Sequence, residues 1–185
     1  KDVYFLTGTD EHGQKIVETA KQQGMSTEKL VEQNAKIFIE FTKLLNLSND
    51  DFIRTSDQKK HWPSVIKLWN NLKAKGDIYK KQYEGLYCVG CEKFMTKKEL
   101  DATGNCPVHE KAPKLIKEEN YFFKLSKYSD KVKELIEKDK YRVTPKTRKN
   151  EILSFLSGKV EDISFSRSKK ALPWGIPVPG DEEQV

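Results

Sequence analysis

The first 76 residues switch between two hydrophobic periods. Residues 3–7, VYFLT, form a short apolar run rich in β-formers, closed by the turn residues Gly8, Thr9 and Asp10; they predict a buried strand. Residues 14–23 take a helical pattern that Gly24 stops. Ser26 is placed to cap a second helix over 27–45, where Leu30, Val31, Ile37, Phe38, Phe41, Leu44 and Leu45 follow the 3.6 period. Residues 52–55 predict another strand. Thr55 and Gln58 have capping-box spacing ahead of a helix that carries Val65, Ile66, Trp69 and Leu72 on one face. Pro63 either kinks that helix or marks its start, and Gly76 ends it. Strand–helix–helix–strand–helix is the order of α/β layering with parallel strands.

From Ile78 the pattern changes. Residues 78–79 and 83–87 predict two short strands leading into a turn-rich stretch, and Tyr121, Phe122 and Phe123 predict one leading out. Helices are expected over 129–139 and 146–157, the second with Pro145 near its first turn and Gly158 as its stop. A strand at 163–165 precedes the loop-like PWGIPVPGD. There is no internal repeat and no low-complexity tract.

The turn-rich stretch holds all three cysteines. Cys88 and Cys91 stand at C-x2-C spacing, and Cys106 and His109 at C-x2-H spacing after fourteen intervening residues. Three thiolates and one imidazole fill a tetrahedral zinc shell with no open position, which is the donor set of a structural ion. A disulfide would leave one cysteine over. Free thiols, or cysteines oxidised after losing an ion, remain the alternatives.

Composition narrows the classes. The 185 residues allow one ordinary domain or two small ones. No apolar run is long enough to span a membrane, and no signal-peptide pattern opens the chain, so a cytoplasmic (or organellar matrix) home is expected. Lys1 at one end and PVPGDEEQV at the other read as cuts through a longer protein. The net charge of +6 is uneven: residues 111–149 hold 13 Lys/Arg against 6 Asp/Glu. That balance suits an RNA phosphate backbone and equally suits a solvated lysine-rich face.

The loop 7–13, TGTDEHG, lies between a predicted strand and helix, at the strand end where open α/β sheets bind ligands. Asp10 can hold a ligand ammonium, or can simply cap the helix that follows. G-x4-G-Q-K resembles a phosphate-binding loop, but its lysine comes one place late and Ile16 offers no hydroxyl to magnesium, which excludes that reading.

FLTGTDEHGQKI closely resembles a segment of the methionyl-tRNA synthetases, class I enzymes that attach methionine to tRNA. The resemblance continues through DFIRTS, GDIYKKQYEGLYCVGCEKF, the C-x2-H half-knuckle, EENYFFKLSKY, ISFSR and WGIPVPGD. It implies an α/β fold: a partial Rossmann-like nucleotide-binding core (1–76 and 163–185) interrupted by a connective-peptide insertion (77–162) with a zinc knuckle, near the tRNA acceptor arm. Asp10 resembles the carboxylate that holds the methionine ammonium. Arg167 resembles an arginine tied to the active site, although Ser168 follows it where an acidic residue is common. Cys88, Cys91, Cys106 and His109 match the one-knuckle zinc site. His12 and Trp174 match family positions without an assigned role. The implied activity is ATP- and Mg2+-dependent activation of methionine to methionyl-adenylate and its transfer to tRNA. The HIGH-like and KMSKS-like motifs that hold ATP are absent from these 185 residues, so the chain alone is expected to be inactive. Rival readings are a free-standing zinc-knuckle RNA-binding module, which would not need a TGTDEHG loop, and a synthetase-like protein without catalysis.

Overall fold

The computed structural model describes residues 2–185. Strand β1 (Leu6–Thr9) is followed by helices α1 (Gln14–Gln22) and α2 (Thr27–Leu44), strand β2 (Asp51–Arg54) and helix α3 (Trp62–Ala74). β1 and β2 pair in parallel, with Leu6 opposite Asp51 and Thr9 opposite Arg54. The element order is consistent with that pairing: parallel neighbours need a crossover connection, and α1 and α2 supply it. Ser26 caps α2 as expected, its hydroxyl accepting from the Lys29 N–H at 3.3 Å.

Three expectations for this half need correction. β1 starts three residues later than the apolar run and is not buried; Val3 is 81% and Leu6 50% exposed. The ladder to β2, not hydrophobicity, fixes where the strand lies. The stripe of α2 is likewise split. Leu30 and Val31 are buried, while Ile37, Phe38, Phe41 and Leu44 are exposed. Thr55 and Gln58 form no capping box, because the Thr55 hydroxyl is engaged with Asp10 and Glu11. Asp57 instead accepts from the Lys59 and Lys60 N–H groups, and α3 begins at Trp62 with Pro63 in its first turn.

The second sheet has four antiparallel strands in the order β4-β3-β5-β6: β3 (Ile78–Cys88), β4 (Lys93–Met95), β5 (Lys114–Phe123) and β6 (Ile163–Ser164). The two strands expected at 78–79 and 83–87 are one. The polar residues between them stay in the ladder because each has a partner on β5: Lys80 faces Tyr121, Lys81 faces Asn120 and Gln82 faces Glu119. The same pairing extends β5 back to Lys114. Helices α4 (Ser126–Glu137) and α5 (Lys146–Ser157) form a hairpin around buried Ile136, Leu156 and Val160. α4 begins earlier than its apolar pattern suggests, where Asp162 accepts from both the N–H and the hydroxyl of Ser126.

Asp77, fully buried where α3 gives way to β3, accepts from Lys127 and from the Tyr128 hydroxyl and so ties α4 to that junction. Trp69, Ile78 and Val178 form a core joining α3, β3 and the C-terminal stretch. That stretch is pinned to β5 by Gln184, whose side-chain amide donates to the Glu119 carbonyl at 2.7 Å. No helix among the described residues is long and apolar enough to cross a membrane.

Candidate metal centre and ligand loop

β3 ends at Cys88, and the chain turns through Val89 and Gly90 to Cys91 before β4. The Cys91 N–H donates to Cys88 Sγ at 3.4 Å, so the turn solvates a thiolate with its own backbone. The second half-site is closed by backbone bonds alone. Cys106 N–H donates to the Lys111 carbonyl, and Glu110 N–H donates to the Cys106 carbonyl. Cys106 is fully buried and Cys88 nearly so.

All four ligand atoms lie within 4.8 Å of one another. Nδ1 of His109 stands 3.8, 3.3 and 3.7 Å from the sulfurs of Cys88, Cys91 and Cys106, and the Cys91 and Cys106 sulfurs are 3.5 Å apart. A tetrahedron with metal–sulfur bonds of ~2.3 Å and metal–nitrogen bonds of ~2.0–2.1 Å has edges of about 3.6 Å (S to N) and 3.8 Å (S to S). These four separations lie within about 0.3 Å of the edges that one four-coordinate ion requires. Gly90 makes this possible: a Cβ there would stand 2.3 Å from the His109 ring. The hydrogen bond with the Cys106 sulfur, and then burial, push Cys91 up to about 11. His109 pulls Cys106 down to about 6. The three cysteines and His109 form a cluster that can hold a metal ion.

The second predicted site, the loop after β1, is organised by Glu11, which in the sequence is one polar loop residue among several. Glu11 is 4% exposed. Its carboxylate accepts from Thr9 Oγ1 at 2.6 Å, from Arg54 Nε at 2.8 Å and from the Ser56 hydroxyl. Burial pushes the Glu11 carboxyl up, but the donors from Arg54, Ser56 and Thr9 outweigh it and hold it below the usual carboxylate range. Arg54 reaches on to Glu32 at 2.6 Å. The Thr55 hydroxyl accepts from the Glu11 N–H at 2.8 Å and donates to Asp10 Oδ1 at 3.2 Å. Asp10 itself is exposed, with its other oxygen free among the described residues. It does not cap α1. It presents a carboxylate to solvent at the C-terminal end of a parallel strand, the arrangement suited to a cationic ligand group.

Arg167 is elsewhere engaged. Its guanidinium pairs with both Glu118 oxygens, at 3.1 and 3.3 Å, and lies 4.2 Å over the Tyr87 ring. No hydrogen bond or ion pair joins it to Asp10 among the described residues. It does share a cavity of about 260 Å3 with His12, Trp69 and Phe165. His12 packs on Trp174, with ring centroids 4.9 Å apart, and burial there lowers its pKa against the pull of Asp10 and Glu11.

Comparison with known proteins identifies the family. The family model described as tRNA synthetases class I (M) matches residues 1–112 and 104–185. The methionine–tRNA ligase of Streptomyces coelicolor is 44% identical over 194 residues, covering 99% of this chain and 35% of the relative. That of Clostridium tetani is 44% identical over 185 residues, covering 100% of this chain and 28% of the relative. Among solved structures, Mycobacterium tuberculosis methionyl-tRNA synthetase bound by methionyl-adenylate superposes with a TM-score of 0.92 at 37% identity, over 100% of this chain and 36% of that one. The chain thus spans roughly a third of the length of these relatives. With a family model matched from end to end, the chain belongs to the class I tRNA synthetases of the methionine type.

Proposed function

We propose that this chain works within a methionine–tRNA ligase, which activates methionine with ATP and Mg2+ to methionyl-adenylate and transfers it to tRNA. The observation that carries this reading is the pairing of an exposed Asp10 at the end of a parallel strand with identity of 44% to methionine–tRNA ligases along the whole chain. Asp10 holds the ammonium of methionine and so orients its carboxylate toward the α-phosphate of ATP. Thr55 fixes the Asp10 side chain, and the buried Glu11–Arg54 pair fixes the loop behind it. Arg167, the second residue assigned to the active site, lines the neighbouring cavity with His12, on which Trp174 packs.

On this reading the Cys3His cluster holds one structural Zn2+. When bound, the ion supplies a closed tetrahedral cross-link between the two half-turns and no open coordination position. Residues 1–76 and 163–185 serve the nucleotide-binding core, and 77–162 form the insertion, with the β5–β6 pairing as the seam. The cation-rich stretch 111–149 meets the acceptor arm of tRNA, in the cytoplasm or an organellar matrix.

Adenylate formation needs both oriented reactants and donors aimed at the growing phosphate charge, terms that together supply on the order of 10 kcal/mol. One ammonium-binding carboxylate supplies only part of the first. Methionine-dependent exchange of labelled pyrophosphate into ATP is therefore expected from the complete ligase and only at background from these 185 residues. Robust exchange by the 185 residues alone would overturn the assignment of roles, because an ATP site would then lie within them.

A further inference from the structure

The first turn of α1 carries no cap of its own. Gly13 at its N-cap has no side chain, no acidic residue stands in the first turn, and Asp10 turns to Thr55 instead. Glu92, 77 positions away from Lys15, takes the place: its Oε1 accepts from the Lys15 N–H at 3.3 Å. The carboxylate lies so close over Gly13 that a Cβ there would stand 2.0 Å from the same oxygen. Gly13 thus serves twice, through its φ of +138 and through the bare Cα that admits Glu92. Glu92 directly follows Cys91, and its backbone is left-handed, with φ of 52, as the chain leaves the cysteine turn. Lys114 on β5 adds a second tie to the same helix, 3.1 Å from Glu18.

We propose that Glu92 is a positioning residue that straps the Cys3His turn to the N-terminus of α1, so that metal occupancy of the turn sets the order of the loop carrying Asp10. The strap rests on the proposed binding of Zn2+ at that turn. The loop 10–13 is held at its front by the buried Glu11 and in its middle by His12 packed on Trp174. Its rear end, at Gly13, is held where α1 begins, by an anion placed against the positive end of the helix. That anion is aimed by the residue before it, a metal ligand. With the ion bound, Cys91 is fixed against Cys106 and His109, and the Glu92 side chain starts from a fixed point. Without it the turn loosens, the carboxylate leaves the helix end, and the rear anchor is lost while the front one stays.

Amide hydrogen exchange on the 185-residue chain tests this, with Zn2+ as the added probe, then a chelator, in wild type, Glu92→Ala and Glu92→Gln. In wild type, chelation is expected to speed exchange at residues 14–16 roughly three- to tenfold, the scale of a charge-assisted cap. Glu92→Ala should show the fast rate with zinc still bound and change no further on chelation. Glu92→Gln keeps an acceptor oxygen and should recover part of the protection, which general loosening would not produce. The β1–β2 ladder should be unaffected in both variants. The proposal is overturned if Glu92→Ala exchanges like wild type, or if chelation speeds residues 14–16 equally with and without the carboxylate. If elemental analysis finds that the chain takes up no zinc, the metal reading falls and takes the strap with it. A failure of methionine activation would leave these exchange rates unchanged, so the two readings fail separately.

Discussion

Glu11→Gln replaces the buried carboxylate by a neutral group of the same shape, and its consequence can be worked from the contacts. The side chain is 4% exposed and accepts from Thr9, Ser56 and Arg54. Hydrogen bonds to a charged group contribute about 1.5–3 kcal/mol each, and breaking a buried ion pair costs about 3–5 kcal/mol. Arg54 is 26% exposed and retains Glu32, so its loss is smaller than that of a fully buried partner. Glutamine also keeps one acceptor oxygen. The net destabilisation at pH 7 should be about 2–3 kcal/mol for Glu11→Gln, and greater for Glu11→Ala. The pH dependence follows from the depressed carboxyl of Glu11. Its stabilising contribution is fully present above the unfolded value of roughly 4.3 and is lost as pH falls through the lower folded value. Urea unfolding of the zinc-loaded chain between about pH 7 and 3 measures both. Wild type and Glu11→Gln should converge toward the acid end. A variant within ~0.5 kcal/mol of wild type at pH 7, with a parallel acid profile, would show that the carboxylate is not the anchor of this loop.

Elemental analysis should find about one zinc per chain, with X-ray absorption reporting Zn–S bonds near ~2.3 Å; a metal-free chain of unchanged melting temperature would refute the closed site. Gly90→Ala drives a Cβ into the His109 ring; it should weaken zinc binding by about 10–100-fold in competition with a chromophoric chelator, and unchanged affinity would mean that the ring is free to move aside. Lys140, Arg142 and Lys146 are exposed at the α4–α5 turn and have no acidic partner among the described residues. Changing all three to glutamine should flatten the salt dependence of tRNA binding by roughly 0.7–0.9 in log–log slope for each phosphate no longer neutralised, whereas an unaltered slope would leave that charge as a solvated face.

Local signals in the chain were legible. The Ser26 cap and the boundaries of α5 are local, and they lie where the residue pattern places them. The Cys3His spacing brings its four donors together because each half-site is closed by its own turn. What could not be read depends on partners distant in sequence. Glu11 looks like one more polar loop residue until β2 brings Arg54 and Ser56 beside it. Glu92 reads as surface charge after a cysteine, and only the fold places it on α1. The single strand at 78–88 follows from ladder partners on β5 rather than from its own polar middle. Hydrophobicity overstated burial at β1 and in the second half of α2, where Ile37, Phe38, Phe41 and Leu44 have no covering layer among the described residues.

The role proposed for Asp10 is to receive the ammonium of methionine. In the complete ligase, methionine-dependent pyrophosphate exchange can be measured for wild type and Asp10→Ala, with the α-deamino analogue of methionine as a competitive inhibitor. A charge-assisted hydrogen bond of about 1.5–3 kcal/mol corresponds to a loss of roughly 10–100-fold in kcat/KM for methionine. That loss is expected together with an unchanged inhibition constant for the analogue, which has no ammonium for Asp10 to hold. Equal weakening of both ligands, or full activity in Asp10→Ala, would contradict the assignment of Asp10.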